Sequence, residues 1–138
     1  MTITRIQLFS LPVSDQDRAR DFYVDVLGFE LIADTTMGPD MRWVQVAPAG
    51  SSTSMSLVTW FPTMPAGSIK GTVVETDDLD SDVRRLADLG VAIEGGIQEQ
   101  PWGRFVTFGP APVSWTRVMR LLASPRSGVS IAVRSPRA

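Results

Sequence analysis

The chain writes one structural phrase twice, and that repetition limits the folds open to it more than any other feature. The first copy reads "PVSDQDRARDFYVDVLGFEL" and the second "TDDLDSDVRRLADLGV". Setting "LGF" at Leu27 to Phe29 over "LGV" at Leu89 to Val91 also sets Asp15 over Asp77. In the first copy Ile3 to Val13 is rich in β-branched and large apolar residues and reads as a strand, with Pro12 near its end, where a missing ladder donor is tolerated. Ser14 is then expected to cap a helix with Asp15 and Asp17 in its first turn, where acids favour the positive end of the helix dipole. Ala19, Phe22, Tyr23, Val26 and Leu27 recur at helical spacing and Gly28 stops the helix.

Phe29 to Asp34, Arg42 to Ala47 and Ser54 to Trp60 predict three more strands, separated by the turn compositions "TTMGPD" and "PAGSST". "FPTMPAGS" reads as a linker. The order then recurs. Gly71 to Thr76 predicts a strand, Asp77 or Asp78 caps a second helix, and Leu79, Val83, Leu86 and Ala87 form its apolar stripe up to Gly90. Val91 to Gln98, Arg104 to Phe108 and Val113 to Leu121 complete the second set. The expected organisation is a βαβββ module over 1–60, a linker over 61–68, a second module over 69–121 and an irregular tail over 122–138, all within one α+β domain. A four-stranded sheet with one helix leaves its other face bare, so the modules are expected to pair into a curved sheet whose concave side is a cup, with the helices outside.

Composition removes whole classes of chemistry. Cys and His are both absent from the 138 residues. That excludes disulfides, a thiolate nucleophile, zinc–thiolate sites, and the commonest general base and metal ligand. A net charge of -2 and a pI near 5.0 argue against a nucleic-acid footprint. No apolar run reaches the roughly 20 residues that span a bilayer, and "MTITRIQLF" has neither the basic start nor the cleavage site of a signal peptide. A cytoplasmic protein with no membrane partner is therefore expected. Charge is uneven, because no Asp or Glu follows Glu99 whereas six arginines, from Arg104 to Arg137, do.

The two helix phrases together with "EQPWGRFVTF" resemble the vicinal-oxygen-chelate superfamily, which includes the glyoxalases, bleomycin-resistance proteins and extradiol dioxygenases. The resemblance spans about Ile3 to Gly109. It implies paired βαβββ modules forming a cup, within one chain or across a strand-swapped dimer, with a small molecule inside. Enzymes of that family hold a divalent metal through His, Gln and Glu on the first and last strands of each module. The matching positions here are Leu8, Gly71, the window Met55 to Val58 with Ser56 as its polar residue, and the window Val113 to Met119. None offers a His or an acid. Gln7 and Gln45 are the nearby substitutes, and Gln7, adjacent to Leu8, points to the opposite strand face. The expected cofactor is none, with a divalent metal only if ligands of an atypical kind replace the usual set.

Relatives turn after "FVTF" through an acidic turn into a last strand, but here the chain continues "GPAPVSWTRVMRLLASPRSG". Two readings of that end stay open: a changed reading frame in a GC-rich gene, or a lineage-specific tail that covers a sheet edge or a dimer seam. The candidate ligand-binding residues are Trp43, Trp60, Trp102, Arg104, Trp115, Arg42 and Phe105, with Phe61 beside them. Pockets are mostly apolar walls with a few orienting polar groups, and aromatic stacking and Arg over a ring both favour a flat guest. Phe22 and Tyr23 are assigned to the core. Trp43 and Trp60 could serve pocket or packing, and Arg104 could instead pair with an exposed carboxylate. Glu75, Glu30 and Asp34 are carboxylates on strands with no partner legible from spacing. No catalytic residue is assigned. The reading is a metal-free binder of an aromatic or amphipathic compound, acting by bleomycin-resistance-like sequestration, as a homodimer. The alternatives are a metal-dependent lyase, isomerase or oxygenase with atypical ligands, and a non-catalytic dimerising accessory protein.

Overall fold

The computed structural model describes residues 2–69, 71–109 and 119–124, and the chain divides into two compact units, Met1–Ile69 and Lys70–Ala138. In the first unit β1 (Leu8–Pro12) leads into α1 (Gln16–Asp21), which continues as a π-helical turn over Phe22–Val26, and then into β2 (Glu30–Gly38), β3 (Met41–Ala47) and β4 (Ser54–Val58). The second unit repeats this with β5 (Thr72–Thr76), α2 (Leu79–Asp88), β6 (Ala92–Gln100), β7 (Gly103–Gly109) and β8 (Met119–Ala123). Each unit is one four-stranded sheet with the same topology, β1-β4-β3-β2 and β5-β8-β7-β6. The first and last strands of each module pair in parallel, and the remaining neighbours are antiparallel. The duplication and the α+β class are thus realised strand for strand.

Alternation along the strands divides each sheet into a helix side and a far side. On the helix side of the first sheet, Leu11, Val44, Val46, Met55 and Leu57 are all buried, and Tyr23 and Phe29 join the core. Tyr23 is only 2% exposed, and burial pushes its phenol well above the ordinary value, so it stays neutral. In the second unit Val106, Phe108, Met119 and Leu121 form the corresponding core with Leu79 and Leu86 of the helix.

Several local expectations change. The cap of α1 is Asp15, not Ser14: its carboxylate accepts the Arg18 N–H at 3.1 Å. The cap of α2 is Asp78, accepting from the Ser81 N–H, so the partner of Asp15 is Asp78 and not Asp77. Both helices still end at a left-handed glycine, Gly28 at φ 78° and Gly90 at φ 81°. The first therefore carries one residue more between cap and stop. The π turn absorbs it, with the Leu27 N–H donating to the Phe22 carbonyl and the Phe29 N–H to that of Tyr23. In α2 the Val91 N–H reaches Leu86 and the Gly90 N–H reaches Ala87, the usual close of an α-helix at glycine.

Of the two aromatic residues expected in the core of α1, Tyr23 is buried and Phe22 is only half-buried. On α2, Ala87 is exposed and Val83 half-buried, leaving Leu79 and Leu86 as the buried contacts. β1 begins at Leu8 rather than Ile3, and Ile3 and Ile6 are exposed. β2 extends to Gly38, taking in part of the expected turn, and β4 ends at Val58, so Trp60 lies beyond the strand. The last strand runs to Ala123, which moves Leu122 and Ala123 out of the expected tail. The stretch Val113 to Val118 of that expected strand, the tail beyond Ser124, and Trp115 lie outside the described residues.

Candidate functional site

In each unit an arginine and the aromatic residue that follows it on the same strand lie on opposite sides of the sheet. Arg42, on the helix side of β3, donates to the Asp34 carboxylate at 2.8 Å and to Asp17 in the first turn of α1 at 2.7 Å. Arg20 joins the same cluster through Asp34 at 3.0 Å. The hydrogen bonds from Arg42 are the main reason the Asp34 carboxyl is pulled down to about 2, with Arg20 adding to the effect. Arg104 repeats the arrangement on β7. It donates to Asp80 in the first turn of α2 at 2.9 Å, and its Nε lies 3.5 Å from Glu99, so the Asp80 carboxyl is held below its usual range. Arg42 and Arg104, both expected at a ligand, instead brace each helix start against its sheet. For Arg104 this is the alternative carboxylate pairing named from the sequence.

The residue after each arginine points to the far side and carries an aromatic ring. Trp43 stacks on Trp60 with centroids 6.2 Å apart and planes at 28°, and Trp60 in turn meets Phe61 at 6.0 Å. In the second unit Phe105 stacks on Trp102 at 5.0 Å and 15°, and the Arg120 guanidinium lies 4.8 Å from the centre of the Phe105 ring. Such contacts contribute about 0.5–1.5 kcal/mol per ring pair and about 0.5–1 kcal/mol per exposed cation over a ring. The expected residues Trp43 and Trp60 thus come together in one cluster, and Trp102 and Phe105 in another. Phe105 is buried, whereas Trp102 is 41% and Phe61 42% exposed.

A polar relay runs beside Trp43 on the far side of the first sheet. The Trp43 indole donates to Gln45 Oε1 at 3.0 Å, Gln45 Nε2 donates to Ser54 Oγ at 2.7 Å, and Ser54 Oγ reaches the Gln7 carbonyl at 3.3 Å. Ser56 is opposite Gln45 in register and fully buried, and its hydroxyl has no hydrogen-bond partner among the described residues. Leaving such a group unpaired costs about 1–3 kcal/mol. The equivalent place in the second sheet follows from register: Gln45 stands opposite Ser56, and Thr107, three residues beyond Arg104 as Gln45 is beyond Arg42, stands opposite Arg120. Arg120 and the relay were missed from the sequence. Their signal is cross-strand register, which spacing along one strand does not contain.

A family model described as the glyoxalase/bleomycin resistance protein/dioxygenase superfamily matches residues 5–131. The chain belongs to this superfamily. It is 34% identical over 109 residues to YetH of Bacillus subtilis (strain 168), covering 77% of this chain and 89% of that one. Among solved structures, TnmS3, an antibiotic binding protein from Streptomyces sp. CB03234, is 48% identical with a TM-score of 0.81, covering 91% of this chain and 99% of that one. A glyoxalase/bleomycin resistance protein from the same Streptomyces is 45% identical with a TM-score of 0.71, covering 88% and 100%.

The metal that superfamily enzymes hold can be tested against the far-side residues. In the first unit these places present Leu8, beside Ser54 in register, and Ser56. Gln45, the possible substitute, has both amide atoms engaged by Trp43 and Ser54. In the second unit the counterpart of Ser56 is a guanidinium. No group of three or more acidic, His or Cys side chains that could hold a metal occurs among the described residues. A hard divalent ion needs several oxygen donors at once, so the described residues of neither unit fit that metal.

Proposed function

We propose that this protein binds an aromatic or amphipathic small molecule without a metal and without transforming it, removing the compound from solution as resistance proteins of the superfamily do. The carrying observation is the pair of aromatic clusters, Trp43–Trp60–Phe61 and Trp102–Phe105, on the sheet sides turned away from the helices. Further support comes from the 48% identity to a chain named as an antibiotic binding protein. The structure's own ion pairs engage Arg42 and Arg104, leaving the aromatic faces as the surfaces with affinity to give. The reading includes a homodimer acting in the cytoplasm.

Native mass spectrometry of protein purified from cell extract, with Mg, Mn, Fe, Ni and Zn offered in turn, tests the metal and the assembly together. A metal-free dimer carrying an organic adduct is the expected result, and a stoichiometric metal would overturn it. Tryptophan fluorescence supplies the binding arm. Saturable quenching by planar aromatic compounds is expected, weakened at least several-fold in Trp43→Ala and Trp102→Ala, and a flat response across a diverse aromatic library counts against the proposal.

A further inference from the structure

We infer that the far side of the second sheet selects an anionic aromatic ligand, with the Arg120 guanidinium as the group that reads the negative charge. The inference rests on the binding role proposed above and adds the chemical class of the guest. Arg120 is on β8, an interior strand of its sheet, on the side turned away from α2. An arginine in the middle of a sheet face is poorly explained by packing, because its counterpart in the first unit is the small, buried Ser56. Here the side chain is exposed and lies over Phe105, the ring that stacks on half-open Trp102. A guanidinium over an aromatic ring still has N–H donors to offer an anion, which suits a carboxylate, sulfonate or phenolate carried by a ring lying against the same cluster.

The neighbours on this side agree with a flat guest. Val73 stands opposite Arg120 on β5 and is 50% exposed, Leu122 stands opposite Phe105, and Thr107 flanks Arg120 on β7. Two carboxylates share the face, one at each edge of the sheet: Glu75, exposed on β5 and opposite Leu122, and Glu94, exposed on β6 and opposite Thr107, the neighbour of Arg120. Their places on the two edge strands, outside the central pair β7 and β8 that carries Phe105 and Arg120, make them modest opponents of an anion and not the recognising groups. Neutralising Glu75 is therefore expected to strengthen an anion and weaken a cation.

Two probes that differ only by a sulfonate make the test direct: 8-anilinonaphthalene-1-sulfonate and uncharged N-phenyl-1-naphthylamine, titrated by fluorescence against the full chain at low salt. The expected result is one saturable site that prefers the sulfonate by about tenfold, the scale of a charge-assisted hydrogen bond. Arg120→Gln should abolish the preference while leaving the neutral probe within about twofold, and Glu75→Gln should widen it. Arg120→Lys should retain part of it, because charge persists without the planar fork. Circular dichroism melts confirm that each variant is folded. An unchanged ratio in folded Arg120→Gln, or equal affinity of the wild type for both probes, overturns the anionic inference alone. Failure of both probes to bind the wild type overturns this inference and, together with a flat response of the wider library, the binding role beneath it.

Discussion

In the first turn of each helix an aspartate two residues past the cap, Asp17 or Asp80, reaches an arginine on the third strand of its own sheet. These pairs are at the surface, where an ion pair contributes at most about 1 kcal/mol, so their effect is chiefly to fix where the helix starts relative to the strands. The Asp34 carboxyl has the more telling titration. Its folded value of about 2 lies below the ordinary 3.8, mainly because Arg42 hydrogen-bonds the charged form. A depressed carboxyl contributes stability that is whole above the unfolded value and is lost as pH falls toward the folded one. Urea unfolding of the wild type should therefore show stability falling between about pH 4 and pH 2, and Asp34→Asn should be less stable at pH 7 by up to about 1 kcal/mol with a shallower acid loss. Equal acid slopes for the two proteins would show that Asp34 does not carry this dependence.

Among the elements, the two helices differ by the residue that the π turn takes up. Tyr23 and Leu86 occupy the same place counted from their caps and are 2% and 1% exposed, so the surplus residue enters after Tyr23. Deleting exposed Asp25 should let the turn relax into a regular α-helix like α2, with a folded protein and a loss of no more than about 1–2 kcal/mol. Deleting exposed Arg84 from α2 is the contrasting case. It rotates Leu86 out of its buried place and should cost about 2–5 kcal/mol, the range for vacating a buried leucine site. Thermal melts of the two deletions compare them directly, and equal losses would place the surplus residue elsewhere. The surplus was not visible in the sequence because "LGF" over "LGV" and Asp15 over Asp77 align without a gap. Only the hydrogen bond to the Asp78 carboxylate shows which acid is the cap.

At the scale of the whole molecule, a ligand that binds only the folded chain must raise its stability by mass action, about 2.7 kcal/mol at a concentration one hundred times its Kd. For a chain of this length that is a rise of several degrees in Tm. A compound that quenches tryptophan without shifting the melt would be touching the surface and not a native site. The sequence by itself determined the duplicated βαβββ order, both glycine stops, the acidic helix starts and the superfamily, because periodicity, caps and turns are local and each is written in a few adjacent residues. Which side of the sheet each residue occupies was left to the tertiary structure. A strand pattern of period two is unchanged when its faces are exchanged, so Arg42 beside Trp43 and Arg104 beside Phe105 read as pairs of ligand contacts until the helices claimed the arginines. Register decided the rest: hydrogen bonding between strands distant in sequence is what seats Gln45 by Ser54 and Arg120 over Phe105.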